Sequence, residues 1–268
     1  MTPPAANSTI SVQKGSELPQ PRKFTFEEYC TYEDGTGNRY ELVNGYLHLI
    51  APPTSWHFLV CEFLVYVFNR LFQATDPQLW AAKEVGIKIH DNTCRIVDVC
   101  VNGKKQWTQL FESGETRPLI LTCPPLLVVE VASSNEKEDY GPKFQDYASL
   151  GIPEYWIVNR RREHVRVCNL AASGNTYLYR DFVKGAQIVS QVLPQLKLTV
   201  YEVLQPAPVQ QLSEQDQAQK AAEREALVAK NATVTSERDA LEAENAAMKQ
   251  QLEQLKAMMQ ARGLDFPH

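Results

Sequence analysis

Several motifs that mark common enzyme classes are missing from this sequence. It contains no glycine-rich phosphate-binding loop, no Gly-x-Ser-x-Gly elbow and no His/Cys cluster with the spacing of a zinc site. These absences disfavour nucleotide hydrolysis by a P-loop, serine hydrolysis and zinc chemistry.

Pairs of cysteines that would indicate disulfides or metal binding are also missing. The six cysteines, at positions 30, 61, 94, 100, 123 and 168, form no Cys-x-x-Cys pair, and most lie within apolar runs. A thiol in such a run behaves as a small hydrophobe. We therefore expect reduced, buried cysteines and a cytoplasmic protein.

The chain lacks an excess of basic charge. Its net charge is −5, and the first 206 residues hold 20 Lys and Arg against 22 Asp and Glu. Any contact with nucleic acid must therefore come from a local patch rather than from a global field.

An apolar segment is missing from the N-terminal region. Residues 1–21 are polar and contain proline, with neither a signal-peptide core nor a membrane-spanning run. This composition predicts a disordered leader and no association with a membrane.

Residues 22–206 are predicted to form one α/β body. Asn44-Gly45 favours a hairpin turn, and an apolar helix is expected to begin near His57, capped by Thr54 or Ser55. A polar loop is expected over residues 103–118. Further segments are predicted as strands at 79–90, 95–101, 126–131, 154–159, 165–169, 176–182, 187–189 and 196–203, and as a helix over 136–150 that is capped by residues 133–135 and interrupted at Gly141-Pro142.

Residues 207–268 are predicted to form a helical tail. Its apolar residues recur every seven positions, which is the spacing of a coiled coil, whereas the second row of the seam holds Arg224, Asn231, Arg238 and Asn245. The pattern favours a marginal parallel dimer, and a single solvated amphipathic helix is the alternative.

Two carboxylates and one lysine carry most of the functional signal. Asp98 lies in Ile96-Val-Asp-Val99, and Glu130 lies in the apolar run Leu127-Val-Val-Glu-Val131, where a charge is costly to bury unless a cation compensates it. Lys143 follows on the next predicted helix. Two such strands on one sheet indicate a divalent metal site. The alternatives are a solvent-facing carboxylate for Asp98 and a buried ion pair with a lysine for Glu130.

A family resemblance covers about residues 24–203. The segments Tyr40-Glu-Leu-Val-Asn-Gly45, Ile96–Val99, Leu127–Ser133 and Lys143–Asn159 resemble, in this order, the Uma-two family of restriction endonuclease-like proteins, within the PD-(D/E)XK nuclease superfamily. The most specific run is Gly151-Ile-Pro-Glu-Tyr-Trp-Ile-Val158. The resemblance implies a mixed sheet flanked by helices with the restriction-endonuclease fold.

The resemblance also implies the roles of individual residues. Asp98 and Glu130 become the metal-binding carboxylates, with the Val131 carbonyl as a third ligand of Mg²⁺ or Mn²⁺. Two positions depart from the family pattern: Val97 replaces the proline before the aspartate, and Ala132 stands where the Glu-x-Lys lysine is expected. The family then takes the lysine from the next helix, at Lys143.

Other residues near these motifs keep two interpretations. Lys137 is the second choice for the lysine, since it is nearer the strand end. Glu41 is implied as a further catalytic carboxylate, and an edge-strand charge facing solvent is its alternative. His57 can bond a phosphate or a carboxylate, although a satisfied core histidine is the more common case. Asp139, Asp146 and Glu154 are expected to be solvated or capping charges.

Two functions from different classes follow. The first is a Mg²⁺-dependent endonuclease that hydrolyses DNA phosphodiester bonds and acts as a homodimer through the tail. The second is a catalytically inactive scaffold that keeps the nuclease fold and acts through its coiled-coil tail. The near-neutral charge and Ala132 favour the second.

Overall fold

The computed structural model describes residues 22–112, 119–133 and 136–262. The predicted leader, residues 1–21, and the predicted caps at positions 134 and 135 lie outside these ranges. The chain divides into two compact units, Met1–Ala207 and Pro208–His268.

The first unit alternates helices and strands. In chain order it contains α1 (Phe26–Cys30), β1 (Tyr40–Val43), β2 (Tyr46–Leu49), α2 (Ser55–Thr75), β3 (Leu79–His90), β4 (Thr93–Gly103), α3 (Lys104–Glu112), β5 (Ile120–Leu121), β6 (Leu127–Val131), α4 (Glu136–Tyr140), α5 (Pro142–Ser149), β7 (Glu154–Asn159), β8 (His164–Leu170), β9 (Tyr177–Val183) and α6 (Val200–Leu204).

One mixed sheet contains the nine strands of the described residues. Its main path runs β2-β1-β4-β6-β7-β8-β9, and β3 pairs with both β4 and β5. The β6–β7 and β3–β5 pairs are parallel, and the other pairs are antiparallel. The predicted α/β class, a mixed sheet flanked by helices with a long C-terminal helix, is confirmed.

Strand β4 is only partly paired along one edge, and the unpaired part leaves room for a site. β3 pairs with it from His90–Thr93 to Leu79–Gly103 and so occupies one edge. On the other edge β1 pairs only at Cys94, and β6 pairs only from Val99 to Val101. Residues 95–98 therefore face a gap between β1 and β6, where side chains must satisfy the backbone.

Local sequence signals explain the first elements. Asn44 and Gly45 adopt φ values of 52° and 85°, the left-handed conformation that a two-residue hairpin turn requires, so the predicted hairpin is present. The Thr54 side chain accepts a hydrogen bond from the His57 amide and caps α2, as expected.

Helices α2 and α5 cover opposite faces of the sheet. Phe68 of α2 meets Trp156 edge-to-face, with ring centroids 5.8 Å apart. Tyr147 of α5 meets Tyr155 in the same way at 5.0 Å. Since Tyr155 and Trp156 are neighbours on β7, their side chains point to opposite faces. The predicted break at Gly141-Pro142 separates α4 from α5.

By length and composition alone, α2 could cross a membrane. Its apolar residues instead pack within the body, where Val60, Leu64 and Phe68 are fully buried. The Asn69 side chain also donates to and accepts from the backbone of Ala81, at 2.9 Å each. These contacts are those of a core helix.

Three local predictions are wrong. Residues 104–112 form α3 rather than a loop, with Trp107 buried and its indole donating to the Trp80 carbonyl at 3.0 Å. Residues 200–204 form α6 rather than a strand, because Thr199 and Glu202 make a capping box. Residues 187–189 contribute only an isolated bridge, between Gln187 and Thr199.

The second unit contains the single helix α7, Val209–Ala261. The five residues of the predicted heptad row are all more than half exposed: Leu227, Val234, Leu241, Met248 and Leu255. The helix is as predicted, and its pairing with a second copy stays a prediction.

Candidate metal centre

Asp98 and Glu130 lie on adjacent strands, where β4 and β6 separate. The pairing of these strands runs through Val99–Val129, and one further step would place Asp98 opposite Glu130. At this point Asp98 Oδ2 accepts from the Val131 amide at 2.7 Å. The carboxylate thus takes the place of a backbone acceptor at the end of the ladder.

His57 approaches the same carboxylate from α2. Its Nε2 lies 2.9 Å from Asp98 Oδ1, and both side chains are about one-fifth exposed. Burial lowers the His57 pKa, but the hydrogen bond to Asp98 and its negative charge outweigh burial, so the pKa is raised. His57 therefore bonds a carboxylate, which is one of the interpretations that the sequence left open for it.

Cys61 lies one turn further along α2. The ligand atoms of His57, Cys61 and Asp98 are all within 4.8 Å of one another. Burial raises the pKa of the Cys61 thiol, and the charges of Asp98 and Glu130 raise it further. The thiol is therefore neutral, and oxygen atoms are the anionic donors of this site.

Glu130 is held from the side of α5. Its side chain is 2% exposed and accepts from Lys143 Nζ at 2.8 Å and from the buried Tyr147 hydroxyl. Burial raises the Glu130 pKa well above its usual value, Lys143 opposes this shift, and Asp98 adds to it. Lys143 has its own pKa raised, because the surrounding carboxylates outweigh its burial.

The lysine partner of Glu130 is therefore Lys143. Lys137, the second choice from the sequence, is exposed on α4. Its position at the strand end does not bring it into the buried cluster.

A third carboxylate, Asp139, lies on α4 beside the same lysine. Its Oδ1 is 3.6 Å from Lys143 Nζ, and the residue is 7% exposed. Burial raises its pKa to about 6, and the charge of Asp98 contributes. The expectation of a solvated charge is wrong here, because the Asp139 side chain is buried beside Lys143.

Glu41 lies at the opposite end of the gap along β4. Its Oε1 accepts from the Ile96 amide at 2.9 Å, and its Oε2 lies 3.4 Å from the Arg95 guanidinium. The side chain is 13% exposed, so it is not an edge charge facing solvent. Its implied catalytic role stays a prediction.

Arg95 neutralises this end of the gap. The side chain is 4% exposed and pairs with Asp146 at 2.8 Å and with Glu138 at 3.7 Å, in addition to Glu41. Asp146 is therefore an ion-pair partner rather than a solvated charge.

Glu154 is a third departure from the expected solvated charges. It is fully buried and accepts from the Trp156 indole, the Ser190 hydroxyl and the amides of Gln191 and Val192. Its role is to anchor the loop at residues 190–192. The sequence signal was present, because Glu154 directly precedes the apolar run Tyr155–Val158.

Comparison with known proteins identifies the family. The family model described as "Uma2: Putative restriction endonuclease" matches residues 26–201, well over half of the chain. The chain belongs to the Uma2 family. The match includes β1, β4, β6 and α5, and this membership supports a nuclease function. No curated protein matches the chain.

A solved structure shares the fold. The crystal structure of a protein from Anabaena variabilis ATCC 29413, described as "a putative nuclease belonging to DUF820", aligns with a TM-score of 0.51 and 18% identity, over 62% of this Uma2 chain and 89% of that one. At this identity the likeness establishes the nuclease fold and nothing finer.

Proposed function

We propose that this Uma2 protein is a divalent-metal-dependent endonuclease that hydrolyses DNA phosphodiester bonds. The observation that carries the proposal is that Asp98 accepts from the Val131 amide while the neighbouring Glu130 pairs with Lys143, at the point where β4 and β6 separate. Family membership supports nuclease function in general. The metal and DNA as substrate are inferred from the donor set.

The residues fit a hard divalent cation. Asp98, Glu130 and Asp139 are three carboxylates, with the His57 imidazole beside Asp98 and Lys143 beside Glu130 and Asp139. An oxygen-rich cluster with excess negative charge favours Mg²⁺ or Mn²⁺. Asp98 and Glu130, with the Val131 carbonyl, would hold the ion. Bound there, it would lower the pKa of a water molecule and neutralise charge on the phosphate.

The chain's own groups would perform the remaining steps. Lys143, fixed between Glu130 and Asp139, places an ammonium beside the proposed metal ligand Glu130, where it would orient the attacking water or stabilise charge on the phosphoryl oxygens. His57 and the Val131 amide fix both oxygens of Asp98, so the carboxylate does not rotate when substrate enters.

Cleavage of supercoiled plasmid with Mg²⁺ or Mn²⁺ tests the proposal. We expect nicking by the wild type and none by Asp98→Ala or Glu130→Gln, with Glu84→Gln, an exposed carboxylate, as the matched control. Glu130→Gln should remain folded without metal, because its amide oxygen can still accept hydrogen bonds and Asp139 still compensates Lys143. A folded wild type that cuts no DNA with either metal would contradict the proposal.

The alternative function, a scaffold acting through α7, is favoured by the pairing of Lys143 with Glu130. This pair is also what a purely structural buried ion pair would look like. Calorimetry separates the two functions. A nuclease site binds Mn²⁺, and Glu130→Gln weakens that binding, whereas a scaffold shows no binding that depends on the carboxylates.

We further propose that α7 pairs in parallel with α7 of a second copy. The exposed heptad row supports this pairing, since five large apolar side chains in one line favour a partner helix. A two-fold dimer would also give each strand of a duplex its own site.

A further inference from the structure

Three consecutive arginines form the turn that joins β7 to β8. Arg160, Arg161 and Arg162 are all exposed. The sequence predictions gave this turn no role, and the metal centre does not use it. The first 206 residues carry no basic excess, so a local cluster of this kind is where contact with a polyanion must occur.

Strand pairing places the turn at the metal centre's edge of the sheet. β6 and β7 are parallel, and Val131 pairs with Val158. The carboxyl ends of both strands therefore lie side by side, about 4.8 Å apart. Glu130 lies at the end of β6, and the arginine turn begins two residues beyond Val158.

Two of the arginines stack on aromatic side chains that are adjacent in sequence to residues of the centre. The Arg160 guanidinium carbon lies 5.3 Å from the ring centroid of Trp56, which directly precedes His57 on α2. The Arg162 guanidinium lies 4.9 Å from the ring of Tyr140, which directly follows Asp139 on α4. The turn thus spans from the helix that supplies His57 to the helix that supplies Asp139.

Side-chain bonds hold the shape of the turn. The Arg162 amide donates to Asn159 Oδ1 at 3.1 Å, and Asn159 in turn donates to Glu136 at 2.7 Å. Arg162 also pairs with Glu136 at 2.7 Å. Arg162 therefore holds the turn in shape. The exposed Arg160 and Arg161 are the two arginines that a ligand would contact.

The charge of the centre explains why such cations are needed. Glu130 and Asp139 pair with Lys143, Asp98 adds to the negative charge around it, and these carboxylates repel the phosphates that flank the one being cut. Arginine binds phosphate through a planar fork, and stacking on an aromatic ring orients that fork before the ligand arrives.

We propose that Arg160 and Arg161 bind the phosphate backbone of a DNA duplex as it enters the metal centre. The inference rests on the proposed nuclease function, and it identifies where the substrate is held. The contacts are to phosphate and so carry no sequence preference.

Binding to a labelled duplex, measured by fluorescence anisotropy across a range of salt concentrations with Ca²⁺ in place of Mg²⁺, tests the inference. The double variant Arg160→Ala, Arg161→Ala should bind about 10-fold more weakly, having lost two charge-assisted contacts. The slope of log K against log salt should become shallower by about 2, since each neutralised phosphate contributes about −0.9 to it. Arg160→Lys, Arg161→Lys should keep most of the slope.

Arg180→Ala is the matched control. Arg180 is an exposed arginine over an aromatic ring, Phe182 at 4.9 Å, but it lies within β9, two strands from β7. The Arg180→Ala variant should bind DNA with the same salt dependence of log K as the wild type. An unchanged slope in the double alanine variant, or an equal loss in Arg180→Ala, would overturn the inference.

Cleavage measured in parallel separates this inference from the proposed function. A wild type that binds through the turn yet cuts nothing leaves the inference standing and removes the nuclease activity. If the wild type cuts DNA but the double variant binds DNA like the wild type, the nuclease function stands and the role of the arginine turn is overturned. A wild type that binds no duplex contradicts both.

Discussion

Asp139 carries a charge that its surroundings compensate only in part. The side chain is buried, and its pKa is raised from 3.8 to about 6. The native protein therefore holds this proton more tightly than the unfolded chain, so its contribution to stability falls as pH rises from about 4 to 6.

Asp139→Asn should accordingly stabilise the metal-free protein at pH 7. Because one pKa unit corresponds to about 1.4 kcal/mol, the gain in unfolding free energy should be about 3 kcal/mol at most. The gain should vanish below about pH 3, where Asp139 is protonated in both states. Urea denaturation in EDTA at the two pH values measures it. Lys137→Gln, at an exposed neighbour on α4, should change stability by less than about 0.5 kcal/mol.

The pKa of His57 depends on Asp98. Burial alone lowers this pKa, and Asp98 reverses the shift. Asp98→Asn should therefore bring the His57 pKa below that of the wild type, as followed by the NMR shift of the ring in metal-free protein.

The pH dependence of stability has the corresponding sign. A histidine with a raised pKa stabilises the fold fully below its unfolded value and loses this effect as pH rises through the folded value. The difference in unfolding free energy between wild type and His57→Gln should thus be larger at pH 5.5 than at pH 9. An equal difference at both would show that the ion pair contributes nothing.

At the scale of elements, α3 depends on one side chain. Trp107 is 1% exposed, packs beside Phe111 with ring centroids 6.4 Å apart, and bonds the Trp80 carbonyl. Trp107→Ala should cost about 3–5 kcal/mol of unfolding free energy, as other large truncations in cores do. Phe111→Ala, at a residue 58% exposed, should cost well under half of that. Equal losses in urea titrations would show that Trp107 is not the anchor.

Elements with a clear local pattern were predicted, and those set by packing were not. The Asn44-Gly45 hairpin, the Thr54 cap and the Gly141-Pro142 break each depend on the conformational preference of one or two residues. Helix α3 looked like a loop because its residues are mostly polar, and only Trp107 is buried. Its helical state comes from packing on the sheet.

The same distinction applies to the candidate site. Asp98 and Glu130 stood out because each interrupts an apolar strand, and a buried charge there needs a reason. Asp139, Arg95 and Glu154 did not stand out, since the sequence pattern of a charge near the start of an element is the same whether the side chain is solvated or buried. Arg95 and Asp139 are buried around the gap between β1 and β6, and Glu154 is buried by the loop at residues 190–192. Both arrangements arise from contacts that are distant in sequence.

At the scale of the whole molecule, the exposed row on α7 sets the expected assembly. Leu241 is 59% exposed at the centre of the row, with Val234 and Met248 one heptad away on either side. Burying such a row against its copy removes apolar surface from water, worth about 25 cal/mol per Å². The polar second row lowers this stability, so the dimer should dissociate readily on dilution.

Leu241→Glu should therefore give a monomer where the wild type sediments as a dimer. Lys230→Glu, which also adds negative charge to α7 but lies off the apolar row, should remain dimeric. Sedimentation velocity over a range of concentrations measures both. If the wild type sediments as a monomer at every concentration, α7 is a single solvated helix, and each protomer would meet a duplex alone. In that case plasmid cleavage should yield nicked circles long before linear product, because the two strands would be cut in independent encounters.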